Sequence, residues 1–244
     1  MPLEPWRLPD DPLRTSAAIT SVVGLVAVVS LALAVGTALH LSAWYPAKAG
    51  ASFAIVMVLA IGYLRGRHPF DRFGLPNQIT TARALIVALI IGLVGEQGPS
   101  DVAWTAVAGA LLATTLDGVD GWLARRARKA SAFGARFDVE IDALLIQWLA
   151  ILAWRYGKAG PWIVMSGLLR YLFVAAGWLW PWMGRDLSPT LRGRALCIVQ
   201  MVALILAIAP IVIPPASTSI AAVGLLALSY SFLVDTRRLW HAAE

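Results

Sequence analysis

The chain has 244 residues, of which 59% are hydrophobic and only 14% charged, and its mean hydropathy is +0.73, so it has too little polar surface to cover a water-soluble globule. Its net charge of +6 comes without a basic run interleaved with aromatics, which argues against a nucleic-acid-binding protein. The apolar residues fall in blocks rather than in alternation, which excludes an outer-membrane barrel and implies an all-α integral membrane bundle.

Eight spans are predicted, at roughly 16–39, 49–64, 77–95, 102–122, 135–155, 161–182, 195–213 and 216–235. The first follows Asp10-Asp11 and is longer than a cleavable signal core, so it reads as a retained span. Turn signals agree with the boundaries: Trp44-Tyr45-Pro46, Gly98-Pro99, Gly157 with Gly160-Pro161, and Pro214-Pro215. Trp44, Trp104, Trp154, Trp162 and Trp182 sit near predicted span ends, where interfacial anchors belong. An even span count puts both termini on one side. With a cytoplasmic N-terminus, sixteen Lys and Arg residues face the cytoplasm and only Lys48, Arg155 and Lys158 the opposite side, which orients the bundle. The polar connection Arg65 to Gly74 joins an N-terminal accessory two-helix segment, residues 1–70, to a six-helix domain, residues 71–244.

Spans four and five run on into polar sequence at their cytoplasmic ends. At about 100° per residue, Asp120 lies about 60° from Asp117, with Gly121 and Ala124 on the same face. On the next helix Asp138 and Asp142 are four residues apart and share a face, while Glu140 points elsewhere and is expected to meet Arg136. One Asp within a span costs about 2.5–3.5 kcal/mol even on insertion scales, and four converging carboxylates repel one another. The cluster needs counter-charge beyond Arg125. Hard oxygen ligands with no His or Cys nearby point to two Mg²⁺ or Mn²⁺ ions, and such a pair beside small residues suits a pyrophosphate.

The run Asp117-x-x-Asp120-Gly121-x-x-Ala124-Arg125, then Gly134, Asp138 and Asp142 at fixed spacing, resembles the full signature of the CDP-alcohol phosphotransferase family. Pro76-Asn77-Gln-Ile-Thr80-Thr-Ala-Arg83 is similar to the segment opening that family's first core helix. The resemblance implies a six-helix catalytic core preceded by two additional transmembrane helices. It implies that Asp117, Asp120, Asp138 and Asp142 bind the metal pair, with Asp142 also the base on the acceptor hydroxyl. Gly121, Ala124 and Gly134 would accommodate the cytidine and ribose, and Arg125 the pyrophosphate. The implied donor is CDP-diacylglycerol, attacked by a hydroxyl acceptor with release of CMP at the cytoplasmic side of what is read as a bacterial inner membrane, by a protein expected to form a homodimer in contact with membrane lipids.

Outside the signature, Asn77 and Thr80 are candidates for CDP contacts or for helix caps, and Arg83 for a CDP contact or for snorkelling to the interface. Arg185, Arg192, Arg194, Arg237 and Arg238 are topology determinants that also form a candidate acceptor-phosphate site. A divalent-cation transporter using the same aspartates is the alternative from another class. Against it, only Gln147 is polar in span five beyond Asp142.

Overall fold

The computed structural model describes residues 11–64, 68–96, 99–126, 131–180, 182–184 and 190–241, with the side chains of Asp11, Pro99 and residues 119–126 outside the description. Among the described residues there are eight α-helices and no strand: α1 (Asp11–Ala38), α2 (Tyr45–Gly62), α3 (Gly74–Gly92), α4 (Pro99–Arg126), α5 (Ala132–Arg155), α6 (Met165–Leu179), α7 (Leu191–Ile208) and α8 (Ala216–His241), with a 3₁₀ turn at Pro161–Val164 before α6. Six are long and apolar enough to cross a membrane: α1, α2, α3, α7, α8, and the 3₁₀ turn taken together with α6. This supports an integral membrane protein. The other two helices, α4 and α5, carry the acidic motifs.

The predicted boundaries hold to within about four residues except in four helices. The first begins at Asp11 rather than 16, the eighth runs on to His241 rather than 235, the seventh stops at Ile208 rather than 213, and the sixth opens as a 3₁₀ turn and ends at Leu179. Prolines account for the opening of the sixth and the end of the seventh. Pro161 starts the 3₁₀ turn, and Pro210 follows directly on Ala209, the residue capping α7.

The chain divides into two compact units, Pro2–Asp142 and Ala143–Glu244, with the division inside α5. In the first unit α1 packs on α2 and both pack on α3, which also packs on α4. Close approach is achieved by opposing a glycine to a large ring. Phe53 of α2 lies against Gly24 of α1, and Tyr45 of α2 against Gly92 of α3, where a Cβ would stand 2.8 Å from the Tyr45 ring. Past the end of α3, Glu96 accepts hydrogen bonds from Ser42 N (2.7 Å), Ser42 Oγ (2.8 Å) and Lys48 Nζ (2.5 Å), latching the α1–α2 connection to α3. The outward side of α1 remains apolar, with Ile19, Val22, Val23 and Val26 all exposed as lipid-facing residues are.

In the second unit α6 and α7 pack on α8. Gln200 of α7 is fully buried and donates to Ser166 Oγ of α6 (2.8 Å). The end of α5 is a Schellman turn: Gly157 at φ +68° takes the left-handed position, Gly157 N donates to Trp154 O (3.0 Å), and Lys158 N donates to Ala153 O (2.9 Å). That turn aims Lys158 Nζ at the carbonyls of Ala209 (3.1 Å), Pro210 (3.4 Å) and Val212 (2.6 Å), while its own carbonyl accepts from Ser217 Oγ (2.8 Å) and Thr218 Oγ1 (3.0 Å).

Candidate active site

The site is built where α4 ends and α5 begins, against α3, within the first unit. Ser131 caps α5: its Oγ accepts from Gly134 N (3.0 Å), a bond from the third helical residue as N-cap geometry requires. His68 Nδ1 lies 3.1 Å from the same hydroxyl, and His68 Nε2 lies 2.9 Å from Arg72 O. The rings of His68 and Phe73 pack on Phe133 at 6.0 and 5.9 Å, and Phe133 stacks on Phe137 at 5.6 Å. The aromatic face of α5 is thus fixed against residues 68–73, and Asp138 and Asp142 are turned elsewhere.

Those two carboxylates meet Asp117 of α4. Asp117, Asp138 and Asp142 each offer an oxygen, all within 4.8 Å of one another, and all three residues are half-buried. Three carboxylates without a His or Cys form a hard-oxygen donor set, and that fits a divalent cation such as Mg²⁺ or Mn²⁺. Among them sits Arg83, whose side chain is 0% exposed. Its Nη1 lies 2.8 Å from Asp117 Oδ1 and also pairs with Asp138, its Nη2 pairs with Asp142, and its Nε donates to Ala113 O at 3.2 Å. Snorkelling is therefore corrected: the side chain turns inward, because three carboxylates lie within reach and an inward salt bridge outweighs a passage to the interface.

Capping by Asn77 and Thr80 is corrected as well. The N-cap of α3 is Phe73, which makes no side-chain cap bond, so Asn77 and Thr80 fall inside the helix. Asn77 Nδ2 donates to Phe73 O (2.5 Å) and Thr80 Oγ1 to Pro76 O (3.2 Å), so both bond to carbonyls rather than to orphan N–H groups. Asn77 Oδ1 faces Gly134, where an added Cβ would stand 2.8 Å from it. Glu140 behaves as expected, 3.8 Å from Arg136 Nε.

Asp120, Gly121, Ala124 and Arg125 lie on the last turns of α4, and their side chains fall outside the described residues, as does Arg185 altogether. Arg192, Arg194, Arg237 and Arg238 belong to the second unit. There Arg192 pairs with Asp235 of α8, so α8 supplies it with a carboxylate that the sequence reading left out. Arg237 Nε lies 3.5 Å from His241 Nε2. The roles of Arg83 and Ser131 in holding the site together were also missed. The clue to Arg83 was its place one turn inside a predicted span, at the end expected to lie on the same side as the four acids.

An inward arginine gathering aspartates from two neighbouring helices, in a chain with six helices able to cross a membrane, defines a polytopic membrane protein with an anionic oxygen-donor centre. Residues 73–234 match the family model of CDP-alcohol phosphatidyltransferases, and the chain belongs to that family. The chain is similar to CDP-diacylglycerol--glycerol-3-phosphate 3-phosphatidyltransferase of Bacillus subtilis (strain 168), 35% identical over 113 residues that make up 42% of this chain and 58% of that relative. It therefore spans somewhat over half the length of that relative.

Proposed function

We propose that the protein transfers a phosphatidyl group from CDP-diacylglycerol to a hydroxyl acceptor, releasing CMP, in a metal-dependent reaction. The observation that carries this is the convergence of Asp117, Asp138 and Asp142, which lie within the stretch that matches the family model and belong to the run that resembles the family's signature. Family membership favours transfer over cation transport.

In this reading Asp117, Asp120, Asp138 and Asp142 hold two Mg²⁺ or Mn²⁺ ions, which when bound neutralise charge on the attacked and leaving phosphates. Gly121, Ala124 and Gly134 leave room for the nucleoside, Arg125 meets the pyrophosphate, and Asn77, Thr80 and Arg83 line the same region. Asp142 takes the proton of the acceptor hydroxyl as its oxygen bonds to the β-phosphorus and the bond to the CMP phosphate breaks. Arg185, Arg192, Arg194, Arg237 and Arg238 are the proposed acceptor-phosphate site, and the name of the B. subtilis relative makes glycerol 3-phosphate the first acceptor to try.

The proposed arrangement is eight spans with both termini and the aspartates cytoplasmic, in a bacterial inner membrane. Residues 1–70 are an accessory segment, residues 71–244 the catalytic domain, and the protein a homodimer. The family match beginning at residue 73, after α2, supports that division.

The test is CMP release from CDP-diacylglycerol by purified protein in detergent, with Mg²⁺ or Mn²⁺ and a panel of separate acceptors. Release with one acceptor, and a loss on the order of 10³-fold or more in Asp142→Asn, is expected. If the protein does not bind the nucleotide, the proposal is wrong.

A further inference from the structure

Arg83 is the most completely buried charge among the described residues, and each of its three guanidinium nitrogens is engaged: Nη1 by Asp117 and Asp138, Nη2 by Asp142, Nε by Ala113 O. The planar fork of arginine suits this task, since one side chain presents five N–H donors in fixed directions, whereas a lysine ammonium is a single point. The partners come from two helices. Asp117 and Ala113 are one turn apart on α4, and Asp138 and Asp142 one turn apart on α5. A residue of α3 therefore sets the spacing between the acidic faces of its two neighbours.

We infer that Arg83 is a positioning residue that acts through the aspartates: it is the built-in counter-cation of the carboxylate cluster, fixes the separation of the α4 and α5 acids, and lowers the affinity of that cluster for divalent cations. The last clause rests on the proposed metal-dependent reading. The first two rest on the contacts alone. The electrostatic argument is direct. Three carboxylates with oxygens within 4.8 Å repel one another, and a guanidinium among them leaves a smaller net negative charge. An arriving divalent cation therefore meets a partly neutralised, pre-spaced set of oxygens and shares them with a fixed positive charge. A strongly bound ion would tie down the phosphate oxygens of substrate and product alike, so a weakened site favours turnover.

Thermal unfolding in detergent with EDTA, followed by Mn²⁺ titration of the melting temperature and of the Mn²⁺ paramagnetic resonance signal, reads both parts. Arg83→Gln in EDTA is expected to melt several degrees below the parent, about 5–10 °C, because it leaves three like charges uncompensated. Mn²⁺ should raise its Tm more than the parent's, with a binding midpoint on the order of tenfold lower. Arg83→Lys should recover part of the EDTA stability and most of the parent's Mn²⁺ midpoint, since the charge returns without the fork. Arg83→Gln with Asp138→Asn should recover part of the EDTA stability, by removing one of the repelling charges.

An Arg83→Gln protein that melts like the parent in EDTA, or that binds Mn²⁺ no more tightly, overturns the inference. If Arg83→Gln does not fold, the double variant decides: failure to restore folding overturns it equally. Failure of the parent to bind Mn²⁺ or release CMP would instead fall on the proposed function, and the EDTA arm would still read the clamp by itself.

Discussion

Gly134→Ala isolates the contact between the start of α5 and α3. An added Cβ would stand 2.8 Å from Asn77 Oδ1 and 3.2 Å from Ser131 Oγ. The second distance asks for a shift of a few tenths of an ångström, but the first requires Asn77 to move. Asn77 is only 4% exposed and its Nδ2 is held by Phe73 O at 2.5 Å, so turning the amide away breaks that bond, at a cost of about 1 kcal/mol. Displacing Ser131 instead weakens the cap of α5, worth about 1 kcal/mol. Overpacking of a filled site costs about 1–3 kcal/mol in general, and the better helix propensity of alanine returns about 0.5–1 kcal/mol. The expected net loss is about 1–2 kcal/mol, or about 2–8 °C in Tm on the scaling for domains of this size. Thermal unfolding of the variant, of Asn77→Ala and of the double variant forms a cycle. Removing the Asn77 amide should relieve the clash, so the double variant should lose less than the sum of the singles by more than about 0.5 kcal/mol. A Gly134→Ala protein as stable as the parent, or strictly additive losses, would refute the steric account.

Two further tests address contacts outside the membrane-spanning segments. Burial alone would raise the carboxyl of Glu96, but hydrogen bonds from Lys48 and Ser42 outweigh it and hold the group below its ordinary value of 4.5. A depressed folded pKa means that the stabilisation is present above 4.5 and is lost as pH falls below it, so the parent should lose Tm more steeply than Glu96→Gln between about pH 5 and pH 3, and equal slopes would contradict this. Lys158→Met keeps the aliphatic stem and removes the donor to Ala209, Pro210 and Val212, so a loss of about 1–3 kcal/mol is expected, with faster amide exchange confined to residues around 209–218. Unchanged exchange there would mean that water serves those carbonyls as well as the lysine does.

The helices were legible because each is a long apolar block bounded by Gly, Pro or charge, and lipid requires every backbone group in such a block to bond internally. The pairing of Asp138 with Asp142 was legible too: a spacing of four residues puts side chains on one helical face whatever surrounds them. What local periodicity cannot supply is the partner of a long side chain. Arg83 read equally well as a ligand contact or as a snorkelling cation, because its reach covers several ångströms in any direction. The same limit hid the Arg192–Asp235 pair, whose members are 43 residues apart, and the bond between His68 and Ser131, which are 63 apart. The cap alternative for Asn77 and Thr80 failed for a smaller reason: α3 begins three residues earlier than the apolar run, at Gly74, whose φ of +76° turns the chain into the helix.

The latch at Glu96 also dictates an order of events during synthesis. The carboxylate that satisfies Ser42 and Lys48 lies 54 and 48 residues downstream of them, beyond the whole of α3. When the α1–α2 hairpin first emerges, its connecting loop carries the unbonded amide and hydroxyl of Ser42 and the first turn of α2 the ammonium of Lys48, which water must serve until the ribosome has delivered the third helix. The hairpin is therefore completed by its successor. A chain stalled before residue 96 would hold two inserted helices with an open, protease-accessible loop, and release of that stall would close it.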